Sequence, residues 1–402
     1  MFLEKEGKLI YSYDGETVCI EAWGKDALRV RATKNRSFTG RDWALEAKDA
    51  HAGEVEIFED PSAKGGAFAN MYEGTDTSYG KITNGKLHAV IDSGSVITFY
   101  HEDGRVLLKE HFRRLRDEES MPLNIMGREY SNGVGDNFRI VARFVARKGE
   151  KIFGMGQYQQ HELDLKGCML ELAQRNSQVS VPFYLSSIGY GFLWNNPGVG
   201  QVMFANNGTE WVTESGKEID YLVIAGDTPA EIEENYMTLT GKPPMMPEYG
   251  MGFWQCKLRY WNQEQLLSVA RKYKELGVPL DVIVVDFFHW TKQGEFKFDP
   301  KYWPDVPGMC RELKEMGIQV VVSVWPTVDI YSENFEEMKE KGYLVRTEHG
   351  VPLTMLCGGN EVFFDATNPD ARTYVWEKIK KNYYDQGAKL FWLDVAEPEY
   401  SV

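Results

Sequence analysis

Apolar and polar residues alternate in short runs through the first 240 positions. Thr17-Val-Cys-Ile-Glu-Ala-Trp23, Ala27-Leu-Arg-Val-Arg-Ala32 and Glu54-Val-Glu-Ile-Phe58 show the two-residue period of half-buried strands. Lys86-Leu-His-Ala-Val-Ile91, Ser95-Val-Ile-Thr-Phe-Tyr100 and Phe138-Arg-Ile-Val-Ala-Arg-Phe144 do the same. Turn pairs punctuate them at Asp14-Gly15, Asn84-Gly85, Ser93-Gly94, Asp103-Gly104 and Ser215-Gly216. Short strands with such turns predict an antiparallel β-sandwich. The stretch from Phe153-Gly-Met-Gly-Gln through Val181-Pro-Phe-Tyr-Leu185 is rich in Gly, Gln and aromatics, and reads as a polar loop system. Gly154 and Gly156 lack the third glycine and the following helix of a dinucleotide site.

The pattern changes after Gly241-Lys-Pro-Pro-Met-Met-Pro247, where three prolines block both helix and central strand. This places a sandwich domain at 1–241 and a second domain at 247–402. In the second, Gly252-Phe-Trp-Gln-Cys256 reads as a strand. Asn262 is positioned to cap a helix, with Gln265 at the reciprocal capping-box position. Leu266, Ala270, Tyr273 and Leu276 form that helix's apolar stripe, and Gly277 ends it. Leu280-Asp-Val-Ile-Val-Val-Asp286 is apolar on both faces, as a buried parallel strand is. A helix marked by Met309, Leu313 and Met316, and closed by Gly317, leads to a third strand from Ile318 to Trp325. After an excursion, Asn368-Pro-Asp370 opens a helix that runs through Val375, Ile379 and Tyr383 to Gly387. Leu390-Phe-Trp-Leu-Asp394 is the fourth strand. Repeated strand–helix–strand units predict a parallel sheet with right-handed crossovers. The fold class expected is therefore a β-sandwich followed by about four βα units, half of a (β/α)8 barrel. An open doubly wound sheet is the structural alternative.

Composition removes some functions. The net charge of −15 with no basic patch argues against nucleic acid, and no apolar run is long enough to span a membrane. Met1-Phe-Leu-Glu-Lys-Glu-Gly7 lacks a signal-peptide core, and the five scattered cysteines form neither a metal pattern nor a disulfide framework. The expectation is reduced thiols in a cytoplasmic protein with no metal or organic cofactor. The aromatic share of 13% suits either a large core or stacking on sugars.

The candidate chemistry lies where strands end. In a βα-barrel, carboxylates just past the strand ends sit at the mouth. Leu390, Trp392 and Asp394 share one face of the fourth strand, and Val282, Val284 and Asp286 share one face of the second. Asp286 ends an apolar strand, where an unpaired buried acid would be costly, so a position at the mouth is expected. Trp325 and Trp392 suit either a packed core or the wall of a subsite. His289 and Trp290 read as the start of a loop, and Asp365 as a structural acid before a helix cap.

At these residues the sequence resembles glycoside hydrolase family 31, the α-glucosidase and α-xylosidase family. The matching pieces are Gly252-Phe-Trp-Gln-Cys-Lys-Leu-Arg-Tyr260, Leu280 to Trp290, Trp325-Pro326, Phe364-Asp-Ala-Thr-Asn-Pro369 and Phe391-Trp-Leu-Asp-Val-Ala-Glu-Pro398. Phe153-Gly-Met-Gly-Gln157 resembles the family's sandwich segment that leans over the active site. The resemblance implies a retaining exo-α-glycosidase acting on oligosaccharides. Asp394 matches the nucleophile and Glu397 the neighbouring acid that supports it. Asp286 matches the carboxylate that binds sugar hydroxyls, with Trp325 and Trp392 lining the same subsite. Phe287 and Phe288, beside Asp286, would crowd the sugar's C6 and favour xylose over glucose. α-Glucosidase, transglycosylase and lyase outcomes share the same covalent intermediate. The family's acid/base is an Asp on a later part of the barrel that no residue here matches. The chain alone is therefore expected to be inactive or to bind sugar weakly, and its open strand edges to promote self-association. The intact enzyme is expected to be a possible homo-oligomer.

Overall fold

A computed structural model describes residues 1–46, 49–59, 78–92, 94–111, 113–114, 124–347, 350–355, 360–397 and 400–401. The chain divides into two compact units, Met1–Pro243 and Pro244–Val402.

The first unit is antiparallel sheet. A nine-stranded sheet runs from Phe2–Lys5 through Lys8–Tyr13, Glu16–Trp23 and Ala27–Thr33. It continues through Ile219–Ala225, Tyr190–Trp194 and Val179–Ser186 to Ile152–Gln157, with Ala50–His51 pairing beside Glu16–Trp23. Two five-stranded sheets, one centred on Leu87–Ile91 and one on Gly208–Gly216, meet at a bridge between Glu110 and Phe144. One core joins Val18, Ile20 and Tyr221 of the large sheet to Leu87, Phe99, Phe144 and Trp211 of the smaller two. That shared apolar layer is what a sandwich requires. The other face of the large sheet is covered by helix Pro229–Thr240, whose Ile232 and Leu239 pack with Leu222 and Ile224. Thr228 caps this helix and accepts a hydrogen bond from Glu231 N at 3.2 Å. All six segments read as strands from alternation are strands.

The segment expected to be a polar loop system is instead strands Ile152–Gln157, Met169–Leu172 and Val179–Ser186. The glycines that argue for a loop serve a bulge. Gly154 and Gly156 hold φ of +114° and +93°, and the pairing register with Val179–Ser186 shifts between them. A Cβ on Gly156 would stand 2.2 Å from Val179 O, so only glycine lets the two strands close.

In the second unit, strands β1 (Trp254–Gln255), β2 (Val282–Val285), β3 (Gln319–Val324) and β4 (Leu390–Leu393) form one parallel sheet in that order. Helix α1 (Gln263–Glu275) connects β1 to β2 and α2 (Val306–Glu315) connects β2 to β3. Helices α3 (Phe335–Glu340) and α4 (Pro369–Ile379) lie between β3 and β4. The sheet thus has four strands but three crossovers. Among the described residues no helix follows β4, and Tyr400–Ser401 pairs with Thr354–Met355. The excursion between β3 and β4 also carries Thr327–Asp329 and Glu361–Phe363, which complete this small antiparallel sheet.

Local chemistry sets the helix ends. Asn262 Oδ1 accepts from Gln265 N at 2.9 Å, but the Gln265 side chain accepts from Trp261 N at 2.7 Å, one residue before the cap. Asn368 accepts from Asp370 N at 3.0 Å, with Pro369 at the first helical position. The glycines Gly277, Gly317 and Gly387 that follow the helical stretches have positive φ, which glycine adopts without strain. Parity sorts the sheet into two faces. Ile283, Val285, Val320, Val322 and Val324 pack on the helices with Leu266, Leu267 and Leu313. Val282, Val284 and Val321 cluster on the opposite face with Tyr249 and Leu390. No helix here is long and apolar enough to cross a membrane, among the described residues.

Candidate active site

Each of the four parallel strands is followed immediately by a thiol, carboxylate or indole side chain. Cys256 follows β1, Asp286 follows β2, Trp325 follows β3 and Asp394 follows β4. Register pairs Trp254 with Val282, Val284 with Val321, and Val321 with Leu390. Continuing that parity in steps of two puts all four on the face turned away from the helices. The carboxyl ends of parallel strands are where βα folds place ligands.

Two contacts tie these groups together across neighbouring strands. Trp325 Nε1 donates to Asp394 Oδ2 at 3.2 Å, and Asp394 N donates to Val324 O at 3.0 Å. Cys256 Sγ donates to Asp286 Oδ2 at 3.3 Å, while Phe287 N donates to Asp286 Oδ1 at 2.8 Å. Burial first, then the adjacent Asp286, pushes the Cys256 thiol up to about 11. The thiol therefore keeps its proton at neutral pH and serves as a donor. Both aspartates are half-buried, so each keeps oxygen lone pairs open to a ligand.

Aromatic rings wall one side. Phe287 lies 5.1 Å from Trp325 and 4.5 Å from Phe288, and Trp290 lies 5.9 Å from Trp325. Phe288 is 53% exposed and has φ +62°. Arg259 holds it there, donating from Nη1 to Phe288 O at 2.9 Å with its guanidinium 5.1 Å from the ring centre. Trp392, 49% exposed, meets Trp254 edge-on at 6.5 Å on the same face of the sheet. Val395, directly after Asp394, has φ +59°. A β-branched residue in the left-handed region is strained, and such strain collects at functional turns.

The remaining candidates separate. His289 is buried and serves the loop. Its Nδ1 lies 3.0 Å from Asp286 O, which can only accept, so Nδ1 carries the proton and Nε2 accepts from Tyr383 OH at 2.9 Å. Burial drives this imidazole down to about 4, which keeps it neutral. Asp365 accepts from Thr367 N and Oγ1 at 2.9 and 2.6 Å and shapes the turn before α4. Glu397 is half-buried, and no hydrogen bond joins it to Asp394 among the described residues. Cys256 is the group that sequence reasoning passed over. The signal was present, since Cys256 directly follows its strand just as Asp286 does.

Comparison with known proteins matches residues 243–401 to the family 31 glycosyl hydrolase TIM-barrel domain. Residues 17–202 match the glycosyl hydrolase 31 N-terminal galactose mutarotase-like domain. An uncharacterized family 31 glucosidase, ORF2 of Pseudescherichia vulneris, is 44% identical over 99% of this chain and 74% of its own length. The chain belongs to glycoside hydrolase family 31. Alpha-xylosidase A of Aspergillus niger is 31% identical over 95% of the chain, which spans 52% of that protein. Among solved structures, a family 31 alpha-xylosidase from a soil metagenome, complexed with xylose, superposes with a TM-score of 0.89 at 48% identity. It is matched by all of this chain, which covers 58% of it. The chain thus spans about half to three-quarters of the length of these three relatives.

Proposed function

We propose that the chain carries the nucleophile and sugar-cradling half of a retaining exo-α-glycosidase that releases α-linked xylose from the non-reducing end of oligosaccharides. The observation that carries the reading is the pairing of Asp394 with Trp325 at the ends of adjacent strands. The indole N–H occupies Oδ2 and steadies the carboxylate, which leaves Oδ1 to attack the anomeric carbon. Attack forms a glycosyl ester on Asp394 as the bond to the leaving oxygen breaks, and water then cleaves the ester with net retention. Asp286, held by Cys256 and Phe287 N, presents its remaining lone pairs to sugar hydroxyls. Trp325, Trp392 and Phe287 form the apolar sides of the subsite. Glu397 is assigned a supporting electrostatic role beside the nucleophile.

A retaining mechanism needs a second carboxyl about 5–5.5 Å from the first, acting as acid then base. Glu397, three residues from Asp394 in the same turn, is not given that role, and no other carboxyl of the chain is assigned it. Turnover of unactivated glycosides by these 402 residues alone is therefore expected to be negligible. Xylose is favoured over glucose by the Phe287–Phe288 pair beside Asp286, which opposes a C6 substituent. Two matches named as alpha-xylosidases support this choice. An α-glucosidase is the second reading, favoured by the glucosidase name of the Pseudescherichia relative.

The test uses a leaving group that needs no acid. The chain is incubated with 5-fluoro-α-xylosyl fluoride or 5-fluoro-α-glucosyl fluoride, and its intact mass is recorded. One xylosyl adduct per chain, formed faster than the glucosyl adduct, is expected. Faster glucosyl labelling would move the assignment to α-glucosidase, and no adduct from either sugar would refute the glycosidase reading.

A further inference from the structure

The sandwich unit holds a second recess that the proposed reaction does not use. A cavity of about 620 Å³ opens among the loops at residues 35–43, 136–137 and 196–198 and the end of strand Gly208–Gly216 with the turn after it, all within the first unit. That volume is in the range of small-molecule sites.

Its aromatic element is Trp43. This residue has φ +53° and yet leaves 43% of its surface open. Holding a bulky residue in the left-handed region costs on the order of 1 kcal/mol. Here that cost presents an indole at the recess instead of burying it. The Arg41 guanidinium lies 5.3 Å from the ring centre.

The polar lining is mixed in a way that selects a ligand class. Among the described residues, Arg36 and Arg41 make no ion pair, because the nearby acids are engaged. Asp42 binds Arg29 at 2.7 Å, Asp136 binds Lys217 at 2.7 Å, and Glu218 accepts from Thr39 N and Oγ1 at 2.9 and 2.8 Å. Three amides commit their nitrogens to backbone carbonyls: Asn35 to Asp136 O, Asn137 to Val134 O and Asn196 to Asp220 O. Their oxygens are left as acceptors. The recess therefore offers charged donors and neutral acceptors side by side, next to an aromatic face. An anion can use only the donors and meets amide oxygens, Asp136 and Glu218. A cation meets two guanidiniums. A neutral polyhydroxylated ligand donates to the amides, accepts from the guanidiniums and lays its C–H face on the indole.

We propose that this recess is a carbohydrate-binding site for a short oligosaccharide, independent of the strand-end site. The experiment is calorimetric titration of the 402-residue chain with isomaltotriose, maltotriose and α-xylosyl-1,6-glucose, and with inorganic phosphate as the anion control. The proteins are the parent, Asp286→Asn, Trp43→Ala and the double variant R36Q/R41Q, with melting curves to check folding. At least one oligosaccharide should bind the parent and Asp286→Asn alike. Trp43→Ala should weaken that binding about tenfold, the scale of a truncated aromatic anchor. R36Q/R41Q, which changes two exposed side chains, should weaken it as well and decides the matter if Trp43→Ala does not fold. The proposal is overturned if no oligosaccharide binds or if Asp286→Asn abolishes all binding. It is equally overturned if a folded Trp43→Ala and R36Q/R41Q bind as the parent does, or if phosphate alone binds and depends on the arginines.

Discussion

Replacing Trp325 with Phe removes the indole N–H and its second ring but keeps an aromatic side chain in place. The Phe ring can keep the contacts to Phe287 at 5.1 Å and Trp290 at 5.9 Å, while the 3.2 Å bond to Asp394 Oδ2 is lost. A hydrogen bond to a charged group contributes about 1.5–3 kcal/mol. Asp394 is half-buried, so water can partly replace the indole, which reduces the expected loss to about 1–2 kcal/mol. Because the bond orients a nucleophile, the loss should appear mainly in the chemical step. The assay is the time course of labelling by 5-fluoro-α-xylosyl fluoride, resolved into kinact and KI. For Trp325→Phe, kinact should fall roughly five- to thirtyfold. KI should change less than kinact, by the smaller wall that Phe offers the sugar. A kinact within about twofold of the parent, or a loss confined to KI, would refute the assignment of Trp325 as the group that orients Asp394.

Other consequences are open to measurement. His289 is held neutral near 4, below its usual value of about 6.5, so the unfolded chain takes up the proton first as pH falls. The stability it contributes is complete above about pH 6.5 and drains away towards pH 4, by about 2–4 kcal/mol. His289→Gln should lower stability at pH 7.5 but flatten the stability–pH slope across that window, and an unchanged slope would count against this account. Gly156→Ala should cost at least about 2 kcal/mol in denaturant unfolding, since φ is +93° and the new methyl would meet Val179 O. A loss below half of that would mean the bulge can relax. Cys256 is exposed, yet its thiol is pushed up to about 11, so iodoacetamide should modify it slowly at pH 7.5 and faster as pH rises, read by peptide mass. Rapid alkylation at neutral pH would contradict the Cys256–Asp286 hydrogen bond. Strand β4 has one hydrogen-bonded neighbour among the described residues, and its last residue, Leu393, is 71% exposed. Sedimentation of the isolated chain should show self-association that Leu393→Lys reduces.

The strand ends were legible because two rules act together there. A parallel strand buried on both faces reads as an apolar run, and the first polar residue after it is at the mouth by construction. Asp286 and Asp394 stand out for that reason, and parity alone puts them on a common face. Cys256 obeys the same rules but is not conspicuously polar, so the run Phe253-Trp-Gln-Cys256 hides its role. The Phe153–Gln157 stretch misled because glycine is ambiguous. It weakens strands on average, yet a bulge pressed against a neighbouring carbonyl can accept nothing larger. The recess around Trp43 was invisible for another reason. Its walls come from four segments up to about 180 positions apart, and only the register of the sandwich assembles them. The reciprocal cap at α1 shifted by one residue because the geometry of the turn, and not the spacing, decides which N–H the Gln265 side chain reaches.

The central claim is that Asp394 forms the covalent bond to the sugar. The chain labelled with 5-fluoro-α-xylosyl fluoride is digested at low pH, which preserves the ester, and the adduct is located by tandem mass spectrometry. The account predicts the sugar on Asp394, in the peptide that contains Phe391-Trp-Leu-Asp-Val395, and no label on Asp394→Asn. An adduct on Asp286, on Glu397 or on Cys256, or labelling that survives Asp394→Asn, would contradict it.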